Sequence, residues 1–246
     1  MPSLISSCES WIHMSDKTIK ILEDLQLSLY RKLLDVPKSC PSPILLWEFG
    51  SKSIKFRIIE RKLNFIHHLL NLSPETLANQ ILTIQINKNI PGLVSECKSY
   101  IKHLKLQDIF QNKIPIKQWK LMVKEAVRDA NIRELKIKMS LYKKLKHLDL
   151  TNDTFGMKSY LKNLNLMNVR ILFRYRTKMI KNVKMNFSSD PINIATCWTC
   201  QCGQIDTNEH LLSCDLYTII RQNIIFDSDS NLCDYLWKST RARAKT

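Results

Sequence analysis

Only four glycines stand among 246 residues. That scarcity argues against barrels and doubly wound sheets, whose tight turns need many residues free of a Cβ clash. No run approaches the ~18 consecutive apolar residues of a membrane span. The opening Met1-Pro2-Ser3 lacks the basic-then-apolar pattern of a secretory leader. An intracellular protein, nuclear or cytoplasmic, is expected, with no membrane partner. No P-loop, Ser/His/Asp set or paired-carboxylate arrangement stands out, so no enzyme is expected in this chain.

Acid is also in deficit. Lys and Arg number 38 against 22 Asp and Glu, leaving +16 on 28.9 kDa. Such an excess implies a polyanionic partner, nucleic acid first among them. The competing explanation is an AT-biased genome that fills the chain with Lys, Asn and Ile. Apolar residues make up 44% of the chain and charged residues 24%, ordinary proportions for a folded protein. The eight cysteines are unevenly placed: Cys197, Cys200, Cys202 and Cys214 cluster, while Cys8, Cys40, Cys97 and Cys233 are scattered. The clustering reads as a reduced metal site rather than a disulfide framework.

What is present is helical periodicity. After the N-cap pair Ser15-Asp16, Ile19, Leu22, Leu25, Leu29 and Leu33 recur at steps of three and four until Pro37. A second helix is expected from Ile44 to Leu72, running past Gly50, with Lys55, Arg57, Arg61 and Lys62 forming a basic face. Ser73-Pro74-Glu75 announces a third through Ile86, ended by Pro91-Gly92. Leu93 to Leu106 makes a fourth. After Pro115 the longest periodic stretch runs to Leu145, with a break expected near Asn131, and a further helical run spans Tyr160 to Tyr175. Asp227 and Asp229 are read in a polar loop, and Arg241, Arg243 and Lys245 in a short tail. The expected fold is all-α. It divides into a helical region over 1–150, a basic helical segment over 151–190, and a small zinc-stabilised unit with its tail over 191–246.

Cys197-Trp-Thr-Cys200 is a turn that lets two sulfurs converge on one ion, and Cys202 is a spare or competitor. His210 and Cys214 stand four apart, so on a helix they share a face and can complete a tetrahedron. Thiolate and imidazole together suit Zn²⁺, and four protein ligands leave no position for water, so a structural site is expected. Five candidates compete for four places. Buried, unliganded cysteines beside a surface histidine are the bland alternative.

Two segments resemble the region after the polymerase palm in the polyproteins of non-LTR (LINE-type) retrotransposons. One carries Leu29-Tyr30-Arg31-Lys32-Leu33-Leu34-Asp35-Val36-Pro37-Lys38-Ser39, then Trp47-Glu48-Phe49-Gly50, then Arg61-Lys62-Leu63-Asn64-Phe65. The other is the cysteine cluster, where Cys200, Cys202-Gly203, Thr207, Glu209-His210, Cys214, Tyr217 and Arg221 are similar to the zinc-binding part of those proteins. The first pair of ligands varies in the family, so Cys197 with Cys200 and Cys200 with Cys202 both stay open. The resemblance covers under half the chain and implies an RNA-directed DNA polymerase as the parent. Yet no Asp-Asp pair is present to hold two divalent ions, and too few residues follow Cys214 for a nuclease domain. Neither activity is expected here.

The segment from Thr154 to Ser189 contains no acidic residue, while Lys158, Lys162, Arg170, Arg174, Arg176, Lys178, Lys181 and Lys184 are all cationic. These are the candidate contacts to RNA or DNA backbone. Phe173 and Tyr175, interleaved with them, are read as core rather than as stacking platforms, and Trp47 and Trp119 as core anchors. Lys136, Lys138, Lys143, Lys144 and Lys146 read as a salt-bridged helix face. The expected function is a non-catalytic nucleic-acid-binding fragment of a retroelement polymerase. Its rivals are a zinc-stapled protein-interaction module and an element remnant without a selected role.

Overall fold

The computed structural model describes residues 5–11, 14–142, 145, 148, 154–177, 179, 204, 208–214, 218 and 228–243. These residues are mostly helical. Among them there is no strand, only an isolated antiparallel bridge between Phe49 and Met157.

The helices are α1 (Asp16–Leu34), α2 (Ser42–Glu48), α3 (Ile54–Leu70), α4 (Leu77–Asn87), α5 (Leu93–Leu104), α6 (Ile116–Ser140), α7 (Ser159–Asn163), α8 (Leu166–Arg176), α9 (Asn208–Ser213) and α10 (Asp229–Arg243). Local chemistry sets their ends. Ser15 caps α1, its hydroxyl accepting from the Thr18 amide at 3.1 Å. At the other end Asp35 adopts a left-handed conformation, φ 52°, and the Val36 amide reaches back to the Arg31 carbonyl at 3.0 Å. The expected helix from Ile44 to Leu72 is instead two, because Gly50 turns left-handed (φ 59°) between α2 and α3. A second division falls at Asn165, whose carboxamide accepts from the Asn168 amide at 3.0 Å and starts α8 afresh.

Conversely, α6 does not break at Asn131. That side chain is fully buried and accepts from the Ser53 amide at 3.0 Å, so a poor helix former is kept for the orphan donor at the start of α3. Asp229 opens a helix instead of lying in a loop, and the backbone of Arg241 and Arg243 belongs to the same helix.

By its internal contacts the chain forms two compact units. Unit 1 comprises Met1–Leu29 with Gly50–Lys138; unit 2 comprises Tyr30–Phe49 with Met139–Thr246. The core of unit 1 is built from α3, α4, α5 and α6, with Leu63, Ile66, Cys97, Trp119, Val123 and Val127 fully buried. Each such large apolar side chain contributes about 1.5–3 kcal/mol on leaving water. Trp119 also donates from its indole nitrogen to the Leu63 carbonyl at 3.0 Å and stacks on His67 with ring centroids 5.6 Å apart. His67 in turn meets the Ile114 carbonyl at 2.8 Å, so it is a satisfied core histidine.

Lys62, expected on the basic face of α3, is fully buried and lies 2.7 Å from both Glu96 carboxylate oxygens, while Tyr100 donates to the same carboxylate at 2.5 Å. Burial and that hydrogen bond push the Tyr100 phenol well above its ordinary range.

In unit 2 the apolar run of α2 is buried, Trp47 completely, and Phe155 meets its ring edge-on at 5.5 Å. Tyr30 stacks on Phe49 at 4.2 Å. The C-terminal helix α10 packs on α8, with Cys233, Tyr235, Leu236 and Ser239 buried.

Candidate nucleic-acid interface and metal centre

The cations of the acid-free segment meet different fates. Lys158 and Lys162 belong to the start and body of α7; Arg170, Arg174 and Arg176 lie along α8; Lys178, Lys181 and Lys184 lie outside the described residues. Lys162 is exposed and has no partner among the described residues. Lys158 donates to the Thr154 carbonyl at 2.7 Å and stands 5.9 Å from the centre of the Trp47 ring.

The three arginines bind the chain itself. Arg170 donates to the Leu33 carbonyl at 2.9 Å. Arg174 donates to the Asp35 carbonyl and forms an ion pair with its carboxylate at 2.5 Å. Together they satisfy carbonyls that the C-terminus of α1 leaves without helical donors, where positive charge is favoured by the helix dipole. Arg176 pairs with Glu48 at 3.2 Å, and Tyr160 donates to the other oxygen of that fully buried carboxylate at 2.7 Å. The Arg176 guanidinium also stands 5.7 Å from the Tyr160 ring centre. Phe173 is completely buried, as its reading as core requires, and Tyr175 is half-buried.

Sequence reasoning did not single out Glu48 or Asp35 as partners of these arginines. A signal for Glu48 exists: it interrupts the apolar run Ile44-Leu45-Leu46-Trp47-Glu48-Phe49, and a carboxylate in such a run needs a cation or donors to be buried. Asp35 carries no comparable signal, since an acid after a helix is ordinary.

Of the metal candidates, Cys197, Cys200 and Cys202 lie outside the described residues. Among the described residues no group of three or more His, Cys, Asp or Glu side chains converges on one point. His210 lies on α9 and Cys214 just beyond it; both are buried, and the Cys214 amide closes the helical bond to the His210 carbonyl at 2.7 Å. The imidazole Nδ1 is 2.9 Å from the Gln204 amide oxygen. With the proton assigned to Nδ1, the ring donates to the Gln204 oxygen, the kind of contact by which a carbonyl orients a metal-binding histidine. Tyr235 of α10 anchors this turn by donating to the Leu211 carbonyl at 2.5 Å. His210 and Cys214, both buried, are the two candidate ligands that the described residues include.

The scattered cysteines have a different character. Cys8, Cys40, Cys97 and Cys233 are buried and form no disulfide. Burial pushes the thiols of Cys40 and Cys97 up to about 12 and that of Cys233 up to about 11, so at neutral pH they are packing groups.

No family model matches this chain, and no curated protein or solved structure is found similar to it. No helix among the described residues is long and apolar enough to cross a membrane.

Proposed function

We propose that the chain is a non-catalytic nucleic-acid-binding part of a non-LTR retrotransposon RNA-directed DNA polymerase, holding template RNA or target DNA through phosphate contacts. The observation that carries this reading is the segment from Thr154 to Ser189, where eight cations stand without one acid. Its cations divide by the partners they already have. Arg170, Arg174 and Arg176 hold unit 2 together, so contact with phosphate falls first to Lys162 and then to Lys178, Lys181 and Lys184. Lysines grip phosphates without reading sequence, and the complex should weaken steeply with salt.

Zinc held by His210 and Cys214 with two of Cys197, Cys200 and Cys202 would supply a closed structural staple. The Gln204 contact to His210 and the buried positions of His210 and Cys214 support that assignment.

The test is elemental analysis of the reduced, purified protein, with fluorescent RNA and DNA titrations at two salt concentrations on the same sample. One bound zinc per chain and binding that falls with salt are expected. Absence of both zinc and binding overturns the reading.

A further inference from the structure

We propose that unit 1 carries a separate anion site, in which a cleft beside α3 takes a phosphate ester held by Arg57, Arg61 and Asn64. None of these residues belongs to the acid-free segment or the cysteine cluster, so the inference stands or falls apart from the function proposed above.

The cleft measures ≈ 570 Å³, within the range of small-ligand sites and ample for a nucleoside monophosphate. Lys52, Arg57, Arg61, Asn64, Gly50 and Glu60 all contribute to its lining. Arg57, Arg61 and Asn64 recur at steps of four and three, which brings them to one face of α3.

The charges of the cleft are unevenly matched. Lys52 is paired with Glu60. Arg61 donates to the Ile5 carbonyl at 2.8 Å and stands 3.6 Å from Glu9. Arg57 has no acidic partner: only its Nε is engaged, with the Lys52 carbonyl at 3.3 Å, and its two terminal nitrogens have no partner among the described residues. A half-buried guanidinium left with two open donors, beside a second guanidinium one turn on, suits the oxygens of a phosphate better than it suits a single carbonyl.

Asn64 supplies the second, independent observation. Its carboxamide oxygen is buried and has no hydrogen-bond partner among the described residues. An unmade bond of this kind is a cost that a bound group at the cleft would remove. Rotation of the amide exchanges oxygen for nitrogen, which makes Asn64 a third donor next to the two arginines.

A phosphate ester can come from a free nucleotide or from a nucleic-acid strand, and the recognising chemistry is the same. The test titrates the full chain calorimetrically with AMP and, separately, with a short oligouridylate, using Arg57→Gln, Asn64→Asp and the exposed Lys20→Gln as a control. Circular dichroism of each variant checks that it folds. Binding of AMP that either cleft variant weakens by about tenfold or more, with Lys20→Gln near wild type, supports the site and identifies a free nucleotide. The same loss confined to the oligouridylate supports the site and identifies a strand phosphate. The proposal is overturned if neither probe binds, or if folded Arg57→Gln and Asn64→Asp proteins bind both probes as the wild type does. In the last case the oligouridylate still binds elsewhere, and the function proposed for the acid-free segment survives.

Discussion

Unit 1 and unit 2 draw on the same basic sequence and use its cations differently. In unit 1 four helices enclose an apolar core, and a single buried lysine is matched within it by Glu96 and Tyr100. In unit 2 the arginines of α8 reach backbone carbonyls and acids around α2 and the end of α1. The lesson is that positive charge in a sequence is no measure of positive surface. Lys62 looks like a solvent-facing residue and is core; Arg176 looks like a phosphate contact and is the partner of a buried acid.

Substitutions break or sharpen that comparison. The largest effect is expected from Glu96→Ala, which leaves the fully buried Lys62 ammonium without its counter-charge and should cost about 3–5 kcal/mol in urea denaturation. Replacing the whole group, with Lys62→Met, Glu96→Leu and Tyr100→Phe together, should recover much of that loss, because an apolar cluster of similar volume avoids desolvating ions. If the triple variant is as unstable as Glu96→Ala, the pair is more than a matched burial.

Glu48→Ala should cost somewhat less, about 2–4 kcal/mol, since Arg176 is one-third exposed and can turn partly to water. Hydrogen exchange would locate the damage. Loss of protection confined to peptides of unit 2 sharpens the contrast between the units; loss spread equally through unit 1 breaks it.

The smallest effect concerns acid. Burial pushes the Glu134 carboxyl up, but Lys138 and Lys55 outweigh it and hold the group below its ordinary value of 4.5. A carboxyl lowered on folding adds stability that is present above 4.5 and is lost as pH falls through the lower native value. Both lysines are about half exposed, so the contribution is under about 1 kcal/mol and fades with salt. Glu134→Gln should flatten the stability curve in that acid window alone, measured by thermal melts from neutral pH downward.

Much of the helical order was legible because apolar periodicity, prolines and caps agree over long stretches. The start of the helix after Pro115 and the stop before Pro91-Gly92 needed nothing beyond the chain itself, whereas the continuity of that helix through Asn131 and its end at Ser140 did. Interruptions were harder. Gly50 and Asn165 divide runs whose periodicity continues on both sides, and only the backbone conformation reveals the division. Burial on α1 was not readable: Leu25, Leu29 and Leu33 are exposed while Leu27 and Leu34 are buried, since leucines occupy two stripes and periodicity cannot choose between them. The arginines were unreadable for another reason. Their partners lie far away in sequence, 137 positions in the case of Arg170 and Leu33, and a carbonyl at a helix end has no side-chain signature. For the candidate metal centre the spacing of His210 and Cys214 was legible from the chain, whereas Gln204, whose oxygen meets His210, was not, because a glutamine in Gln201-Cys202-Gly203-Gln204 carries no such meaning.

Cations that build unit 2 are proposed to differ in role from those left for phosphate. That difference is tested most directly by the slope of log affinity against log salt for a single-stranded RNA, compared among wild type, Lys162→Gln and Arg174→Gln. Lys162→Gln should lower the slope by about one counterion, and Arg174→Gln should leave the slope unchanged while lowering stability. A slope unaffected by Lys162→Gln but lowered by Arg174→Gln in a protein of wild-type stability would contradict it.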